Sequence, residues 1–235
     1  MAAVRCCFAI SLAAVLAACG GGGSAMSPAT DRQVRVDWLG NDCFRISSSI
    51  GTSILTDPYS AGTGGRTLPS PLTPDIVLVS HERPSANNVD AMDNQPSVFR
   101  GSIGMGTNSA AGIRILGVPT FRNPDAEVIE GMNIIFQWTM DGVRFTSLGA
   151  IVNPLTPAQL SQLASTDVLF VPVGGTLSPA ARETILAQLR PRLVIPSGAS
   201  AGGWTSGRVI SVPGRSVLIS RSILPLQTTT LLFGS

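Results

Sequence analysis

The chain has 235 residues, of which 13% are charged, and its formal net charge at pH 7 is +2. With 44% hydrophobic residues, a chain of this length can bury a core of its own, so we expect one medium-sized domain. The charged residues are scattered and form no basic cluster, which argues against nucleic-acid binding and against an electrostatic membrane patch.

The N-terminal segment is typical of a secretory signal. One early cation, Arg5, precedes an uncharged apolar run over residues 8–18 that is short for a bilayer span. Residues 16–19, Leu-Ala-Ala-Cys, resemble the lipobox of bacterial lipoproteins, in which the cysteine becomes the lipid-carrying N-terminus. An ordinary secreted protein and a retained anchor are the alternatives.

These features predict a signal peptide over residues 1–18, a lipidated Cys19 with a flexible linker over residues 19–33, and a domain over residues 34–235. By resemblance to Gram-negative sorting rules, Gly20 after the cysteine permits transfer to the outer membrane. We therefore expect a lipid-anchored protein of the bacterial envelope that faces the periplasm, with membrane contact through the lipid on Cys19.

Cysteine usage predicts no intramolecular disulfide. Cys6 and Cys7 leave with the signal, Cys19 is acylated, and Cys43 then stands alone. Cys43 lies on an expected strand, which favours a buried, inert thiol over a nucleophile.

From Val34 onward, short β segments alternate with turn residues. "VRVDWL" alternates apolar and polar residues, "CFRIS" and "TSILTD" continue the pattern, and "DIVLV", "DVLFVPV" and "RLVIP" are apolar runs typical of buried strands. "NIIFQWTMDGVRFTSL" predicts two strands around the tight turn Asp141-Gly142. The tail segments "RVISV", "SVLIS" and "TTTLLF" predict further strands.

Two helices have clear start signals. Thr156-Pro157 begins the first, with Gln159 placed for a capping box, and Ser178-Pro179 begins the second, which we expect to end near Arg190. Each helix is followed by a buried strand, so we expect a layered α/β fold with helices outside the sheets.

Three stretches rich in glycine, proline and serine are expected to be loops, over residues 60–74, 100–112 and 197–207. The third contains Trp204. An exposed Trp204 would suit a contact with other envelope proteins, whereas the alternative is that it packs onto its own core.

Several words in fixed order carry a family resemblance: "WLGNDCFRI", "ILTDPY", "DIVLVSHE", "NNVDAM", "GVPTF", "DGVRFTSLG", "DVLFVPVGGT" and "LRPRLVIPS". Over roughly residues 34–200 the chain resembles the metallo-β-lactamase superfamily, and within it the branch similar to L-ascorbate-6-phosphate lactonases and metal-dependent hydrolases. The resemblance implies a single-domain, four-layer αββα sandwich.

Members of this family hold one or two metal ions, usually zinc, through H-x-H-x-D-H after a buried strand, a later histidine, a bridging aspartate and a final histidine. Among these positions the chain retains only His81, which is its sole histidine. The other positions carry Arg83, Ser85, Ala86, Arg122, Ala150, Asn153 and Gly198.

A single histidine cannot hold zinc tightly, and arginine has no lone pair to donate. We therefore expect no metal, no cofactor and no catalytic residue, which makes the domain a pseudoenzyme of the family. The alternative is a metal-dependent hydrolase with a rebuilt site, in which His81 and a divalent metal are joined by carboxylates such as Asp57, Glu82, Asp90 and Asp93.

Two expected ligand positions carry arginine, so positive side chains replace the charge of the metal. The resemblance places Arg83 and Arg122 near His81 and Asp57, and predicts binding of a small anion with the backbone N–H groups of Gly174 and Gly175 as further donors. The alternatives are that each arginine pairs with an acid, such as Glu82 or Asp125, or that the domain only contacts envelope proteins.

Overall fold

The computed structural model describes residues 31–121, 131–175, 177–198 and 201–234. The expectations about the signal, Cys19, Arg122 and Asp125 lie outside these residues. None of the described helices is long and apolar enough to span a membrane. Residues from Asp31 onward form one compact unit, and its first strand begins at Gln33.

Among the regular elements of the described chain, β-strands outnumber the three α-helices. The helices are α1 (Gly101–Gly104), α2 (Pro157–Gln162) and α3 (Pro179–Leu189). The strands are β1 (Gln33–Gly40), β2 (Cys43–Ser47), β3 (Ser53–Thr56), β4 (Ile76–Leu78), β5 (Ser97–Phe99), β6 (Gly106–Ala110), β7 (Ile113–Phe121), β8 (Met132–Met140), β9 (Val143–Ser147), β10 (Val168–Pro172), β11 (Leu193–Ser197), β12 (Arg208–Val212), β13 (Ser216–Ser220) and β14 (Thr229–Phe233).

The strands form two mixed sheets. The first has the order β13-β1-β2-β3-β4-β5, in which β3, β4 and β5 run parallel. The second has the order β12-β14-β11-β10-β9-β8-β7-β6, parallel from β12 to β9 and antiparallel from β9 to β6. The single-domain α/β sandwich predicted from the sequence is confirmed.

Apolar side chains fill three layers. The largest cluster lies between the sheets, where Phe145 stacks on Trp138 with ring centroids 5.6 Å apart. A second cluster covers the outer face of the second sheet, beneath α2 and α3. A third, around Tyr59 and Leu72, lies on the outer face of the first sheet, where loop residues rather than a long helix supply the cover in the described chain.

Local sequence signals that predicted turns and helix starts are confirmed. Asp141 and Gly142 adopt positive φ values of 47° and 79° between β8 and β9, as a tight hairpin turn requires. Thr156 and Gln159 form the capping box of α2, and α3 begins after Ser178. Cys43 is buried and free, as expected.

In the loops rich in glycine, proline and serine, one expectation is corrected and one pair of alternatives is decided. Residues 100–112 are not one loop, because they contain α1 and the edge strand β6, which pairs with β7. Trp204 is only 3% exposed, so of its two alternatives the structure confirms the one in which it packs onto its own core. Its Nε1 donates to the carbonyl of Ser206 at 2.9 Å, and the guanidinium of Arg182 lies 4.6 Å from its ring centroid.

Candidate functional site

The candidate site lies where two parallel strands of the first sheet end. Asp57 directly follows β3, and Ser80 and His81 follow β4 after one intervening residue. Because β3 and β4 are parallel neighbours, their carboxyl ends meet at the same edge of the sheet. The backbone N–H of Asp57 donates to the carbonyl of Leu78 at 2.8 Å, which fixes the two segments together.

Hydrogen bonds join Asp57 to His81 through Ser80. The Ser80 backbone N–H donates to Asp57 Oδ1 at 2.7 Å, and the Ser80 hydroxyl donates to Oδ2 at 3.0 Å. The same hydroxyl oxygen lies 2.9 Å from His81 Nδ1, and His81 Nε2 lies 3.1 Å from Ser85 Oγ. Asp57, Ser80 and His81 are all buried. The sequence prediction that placed Asp57 near His81 agrees with this geometry.

Burial controls the acid–base behaviour of the site. Removal of water raises the pKa of Asp57 to about 7, against hydrogen bonds from Ser80 that lower it, and the nearby charge of Asp42 adds to the rise. Desolvation also raises the pKa of Asp42, although Ser197 Oγ donates to its Oδ1 at 2.6 Å. The Cys43 thiol has a pKa well above its ordinary value, chiefly through burial and also through these two acids. Cys43 is therefore unsuited to be a nucleophile at neutral pH.

A buried asparagine links β7 and β8 to the loop after β9, next to Ser80. Asn133, at the start of β8, donates through Nδ2 to Thr120 Oγ1 and to the carbonyl of Leu148, both at 2.9 Å, and its Oδ1 accepts from the Ala150 N–H at 2.7 Å. A Cβ added to Gly149 would lie 2.4 Å from both Asn133 Oδ1 and Ser80 Cβ. The loop after β9 is thus packed directly onto Ser80.

Several of the expected family ligand positions are occupied by groups that cannot bind a metal. Ala86 and Ala150 have methyl side chains, and Gly198 has none. Gly198 adopts a φ of 90°, and a Cβ there would lie 3.1 Å from the carbonyl oxygen of Val173. Asn153 lines a separate pocket of about 180 Å³ with Thr156.

The donor set does not fit a zinc ion. Within the described ranges, no three His, Cys, Asp or Glu side chains are grouped so that they could hold a metal. Both ring nitrogens of His81 lie within hydrogen-bonding distance of serine hydroxyls, and Asp57 accepts two bonds from Ser80. Glu82, proposed as a substitute ligand, is bonded elsewhere. Stable zinc sites use three or four protein ligands.

Glu82 pairs with Arg100 and not with Arg83, so the alternative in which Arg83 pairs with Glu82 is wrong. Arg100 Nε donates to Glu82 Oε1 at 2.8 Å, and its Nη2 donates to Oε2. This bonding, with a smaller contribution from Asn87, holds the pKa of Glu82 below its ordinary value. Partial desolvation acts in the opposite direction, because it raises the pKa of a carboxyl. Arg83 is exposed, and its side chain makes no ion pair or hydrogen bond with the described part of the chain.

Two other groups bear on the expected anion binding. Gly174 and Gly175, after β10, are exposed and adopt φ values of 90° and 66°. A pocket of about 170 Å³ is bordered by Gly198, Trp38 and Arg66. The guanidinium of Arg66 lies 4.8 Å from the Trp38 ring centroid. Arg66 is a cation that the sequence did not single out, because it lies in a loop 15 residues before His81 with no motif around it.

Sequence reasoning also missed the bonding roles of Ser80, Ser85 and Asn133. Ser85 was recognised only as the replacement of an aspartate, and Asn133 stands in an apolar strand without a motif. The one available signal was the polar Asn133 within an otherwise apolar strand, since a buried asparagine needs several hydrogen-bond partners.

The beta-lactamase superfamily domain model matches residues 35–197. Similar solved structures include a candidate Zn-dependent hydrolase of the metallo-β-lactamase superfamily from Thermotoga maritima, with 23% identity, a TM-score of 0.67, and coverage of 86% of this chain and 100% of that one. A candidate metal-dependent hydrolase from Parabacteroides distasonis has 16% identity, a TM-score of 0.57, and coverage of 70% and 82%.

The diiron β-hydroxylase CmlA from Streptomyces venezuelae has 14% identity and a TM-score of 0.55, and the alignment covers 74% of this chain and 46% of that one. No curated protein matches the sequence. At these identities the structural likeness establishes the fold alone.

Proposed function

The chain belongs to the metallo-β-lactamase superfamily, and we propose that it is an exported, lipid-anchored member that binds a small anion in place of metal-dependent hydrolysis. The observation that carries the proposal is the environment of Arg83. This side chain is exposed beside the site and has no acidic partner in the described chain, since Glu82 is taken by Arg100.

Loss of the metal chemistry is supported by the donor set. His81 is the one histidine in the chain, and its ring nitrogens contact the hydroxyls of Ser80 and Ser85. A metal-bound hydroxide needs several histidine or carboxylate ligands at one point, which Ala150 and Gly198 cannot supply. On this proposal the domain is a pseudoenzyme with respect to its family's chemistry.

Anion binding is supported by the distribution of positive charge around the site. Arg83 offers five N–H donors in a planar fork that matches a carboxylate or a phosphate. Arg66 adds a second cation beside Gly198. Arg122 and the backbone N–H groups of Gly174 and Gly175 complete the proposed donor set.

The finer assignments follow from the sequence resemblances. We propose lipidation at Cys19, location at the outer membrane facing the periplasm, and relationship to the L-ascorbate-6-phosphate lactonase-like branch. The last assignment favours phosphorylated or carboxylated small molecules as ligands. An additional contact with envelope proteins is compatible with this location, although the buried Trp204 does not provide it.

Titration of the purified protein with phosphorylated and carboxylated metabolites tests the anion site. We expect saturable binding that weakens by about tenfold or more in Arg83→Ala, because a charge-assisted hydrogen bond contributes about 1.5–3 kcal/mol. Arg114→Ala is the matched control, since Arg114 is also exposed but lies on β7 of the second sheet. Unchanged affinity in an Arg83→Ala/Arg122→Ala variant would remove the basis of the proposal.

The competing function is hydrolysis at a rebuilt metal site. Elemental analysis of the purified mature protein separates the two functions, because a rebuilt site would retain metal through purification. Near-stoichiometric zinc, iron or manganese would overturn the proposal, and only trace metal is expected.

A further inference from the structure

Four side chains form a continuous hydrogen-bonded series, which we call the Asp57–Ser85 relay: Asp57, Ser80, His81 and Ser85. When Asp57 is ionised, the single hydroxyl proton of Ser80 is donated to its Oδ2, so the Ser80 oxygen accepts from the N–H of His81 Nδ1. His81 Nε2 is then the unprotonated nitrogen, and it accepts from the hydroxyl of Ser85 at 3.1 Å. The polarity of the relay thus fixes the histidine tautomer that a general base requires.

We propose that Ser85 Oγ is a nucleophile for acyl transfer, with His81 as its general base and with Ser80 and Asp57 as positioning residues. This activity needs no metal. It goes beyond the anion binding proposed above and stands on separate observations, namely the three side-chain contacts of the relay.

The geometry has the features of an activated serine. The nucleophile and the base lie within hydrogen-bonding distance, and a third group holds the other ring nitrogen of the base. His81 is only 7% exposed, so its ring orientation is fixed by surrounding atoms. Ser85 is partly exposed, as a residue that reacts with a substrate has to be.

The substrate class is a small carboxylic ester that carries an acidic group. Ser85 Oγ would bond to the ester carbonyl carbon while its proton passes to His81 Nε2. The bond from that carbon to the alcohol oxygen then breaks, and the alcohol leaves with the proton from Nε2. Water next attacks the acyl-serine, loses a proton to Nε2, and releases the acid as Ser85 regains its proton. The exposed guanidinium of Arg83, two residues before Ser85, suits the acidic group.

A purely structural relay is the competing interpretation, because buried polar groups need partners whether or not they react. The two interpretations differ in chemical reactivity. A structural serine has the low nucleophilicity of an ordinary hydroxyl, whereas a serine with a positioned base reacts with phosphonylating probes.

The test is covalent labelling of the full chain with a fluorophosphonate probe in the presence of EDTA, followed by peptide mass spectrometry. We expect labelling at Ser85, its loss in Ser85→Ala, and a rate about a hundredfold lower in His81→Gln, a typical contribution of a general base. Ser102→Ala is the control, because Ser102 is exposed and distant in sequence from the relay. Absence of labelling at Ser85 in the folded wild-type chain would overturn the proposal.

A second variant covers the case in which Ser85→Ala fails to fold. In Ser85→Cys, the thiol introduced at position 85 should react with iodoacetamide at least tenfold faster than the thiol of Ser102→Cys, because His81 would favour its thiolate. Equal rates would count against the relay. The labelling experiment and the anion titration test separate proposals. If Ser85 is not labelled but the affinity for the anion is retained, only the proposal of a nucleophile is overturned.

Discussion

Two regions of the molecule are held together by different forces. Between the sheets, Trp138, Phe145 and Phe170 stack with ring centroids 5.6–6.4 Å apart in an apolar layer. Around His81, buried polar side chains are joined by hydrogen bonds. Apolar burial thus stabilises the core, whereas the site depends on satisfied hydrogen bonds, so substitutions in the two regions should change stability in different ways.

Truncation in the core should have the largest effect on stability. Phe145 is fully buried between the sheets, so Phe145→Ala should lower the free energy of unfolding by about 3–5 kcal/mol through lost burial and a residual cavity. Urea denaturation followed by circular dichroism measures the change. A loss below about 1 kcal/mol would mean that the inter-sheet layer does not carry the stability.

The buried Asp57 should make stability depend on pH. Its pKa is raised from 3.8 to about 7, so the folded state binds a proton more tightly than the unfolded state. The contribution of protonated Asp57 to the free energy of unfolding is complete below about pH 4 and is lost as pH rises to about 7. In Asp57→Asn, the pH dependence between pH 4 and 8 should flatten by an amount on the order of 2–4 kcal/mol, at about 1.4 kcal/mol per pKa unit. Denaturation at several pH values measures it, and an unchanged slope would contradict the burial of an ionisable carboxyl.

Arg100 and Arg83 are both close to Glu82 in the fold or in the sequence, but of the two only Arg100 bonds to it in the described chain. Arg100→Ala removes the partner of the half-buried Glu82 and should cost about 1 kcal/mol. Arg83→Ala should change stability by less than about 0.5 kcal/mol, since its side chain is exposed. Thermal melts of both variants make the comparison. Equal losses would show that Arg83 has a structural partner.

Metal removal should have the smallest effect. A ligand that binds only the folded state raises stability with its concentration, so a true zinc site would make the melting temperature depend on zinc. We expect the melting temperature to be the same in EDTA and in micromolar zinc. A rise with zinc that is lost in His81→Gln would restore the metal-site interpretation.

Local signals allowed much of the fold to be predicted. The Asp141-Gly142 turn and the Thr156 capping box depend on residues within a few positions of one another, so the sequence displays them directly. Residues 100–112 were misjudged because their small polar composition is typical of loops, whereas β6 is a polar edge strand that pairs with β7.

The bonding of the site was harder to predict because its partners come from separate strands. Pairing of Glu82 with Arg83, its neighbour in sequence, was one of the alternatives that the sequence left open. Arg100 instead follows β5, which runs parallel to β4, so the two carboxyl ends bring Arg100 to Glu82. Asn133 likewise reaches Ala150 across the β8–β9 hairpin. Such contacts follow from sheet order, which a single sequence does not display.

Gly198 differs from the alanines at the other expected ligand positions in its backbone conformation. Its φ of 90° is one that residues with a side chain rarely adopt, and a Cβ would approach the carbonyl of Val173. A histidine placed here by Gly198→His would therefore be strained unless the backbone after β11 shifted. The main chain, as well as the side chains, thus sets which residues this position accepts, so a variant that carries the family's histidine here needs a change of loop conformation as well as a change of side chain.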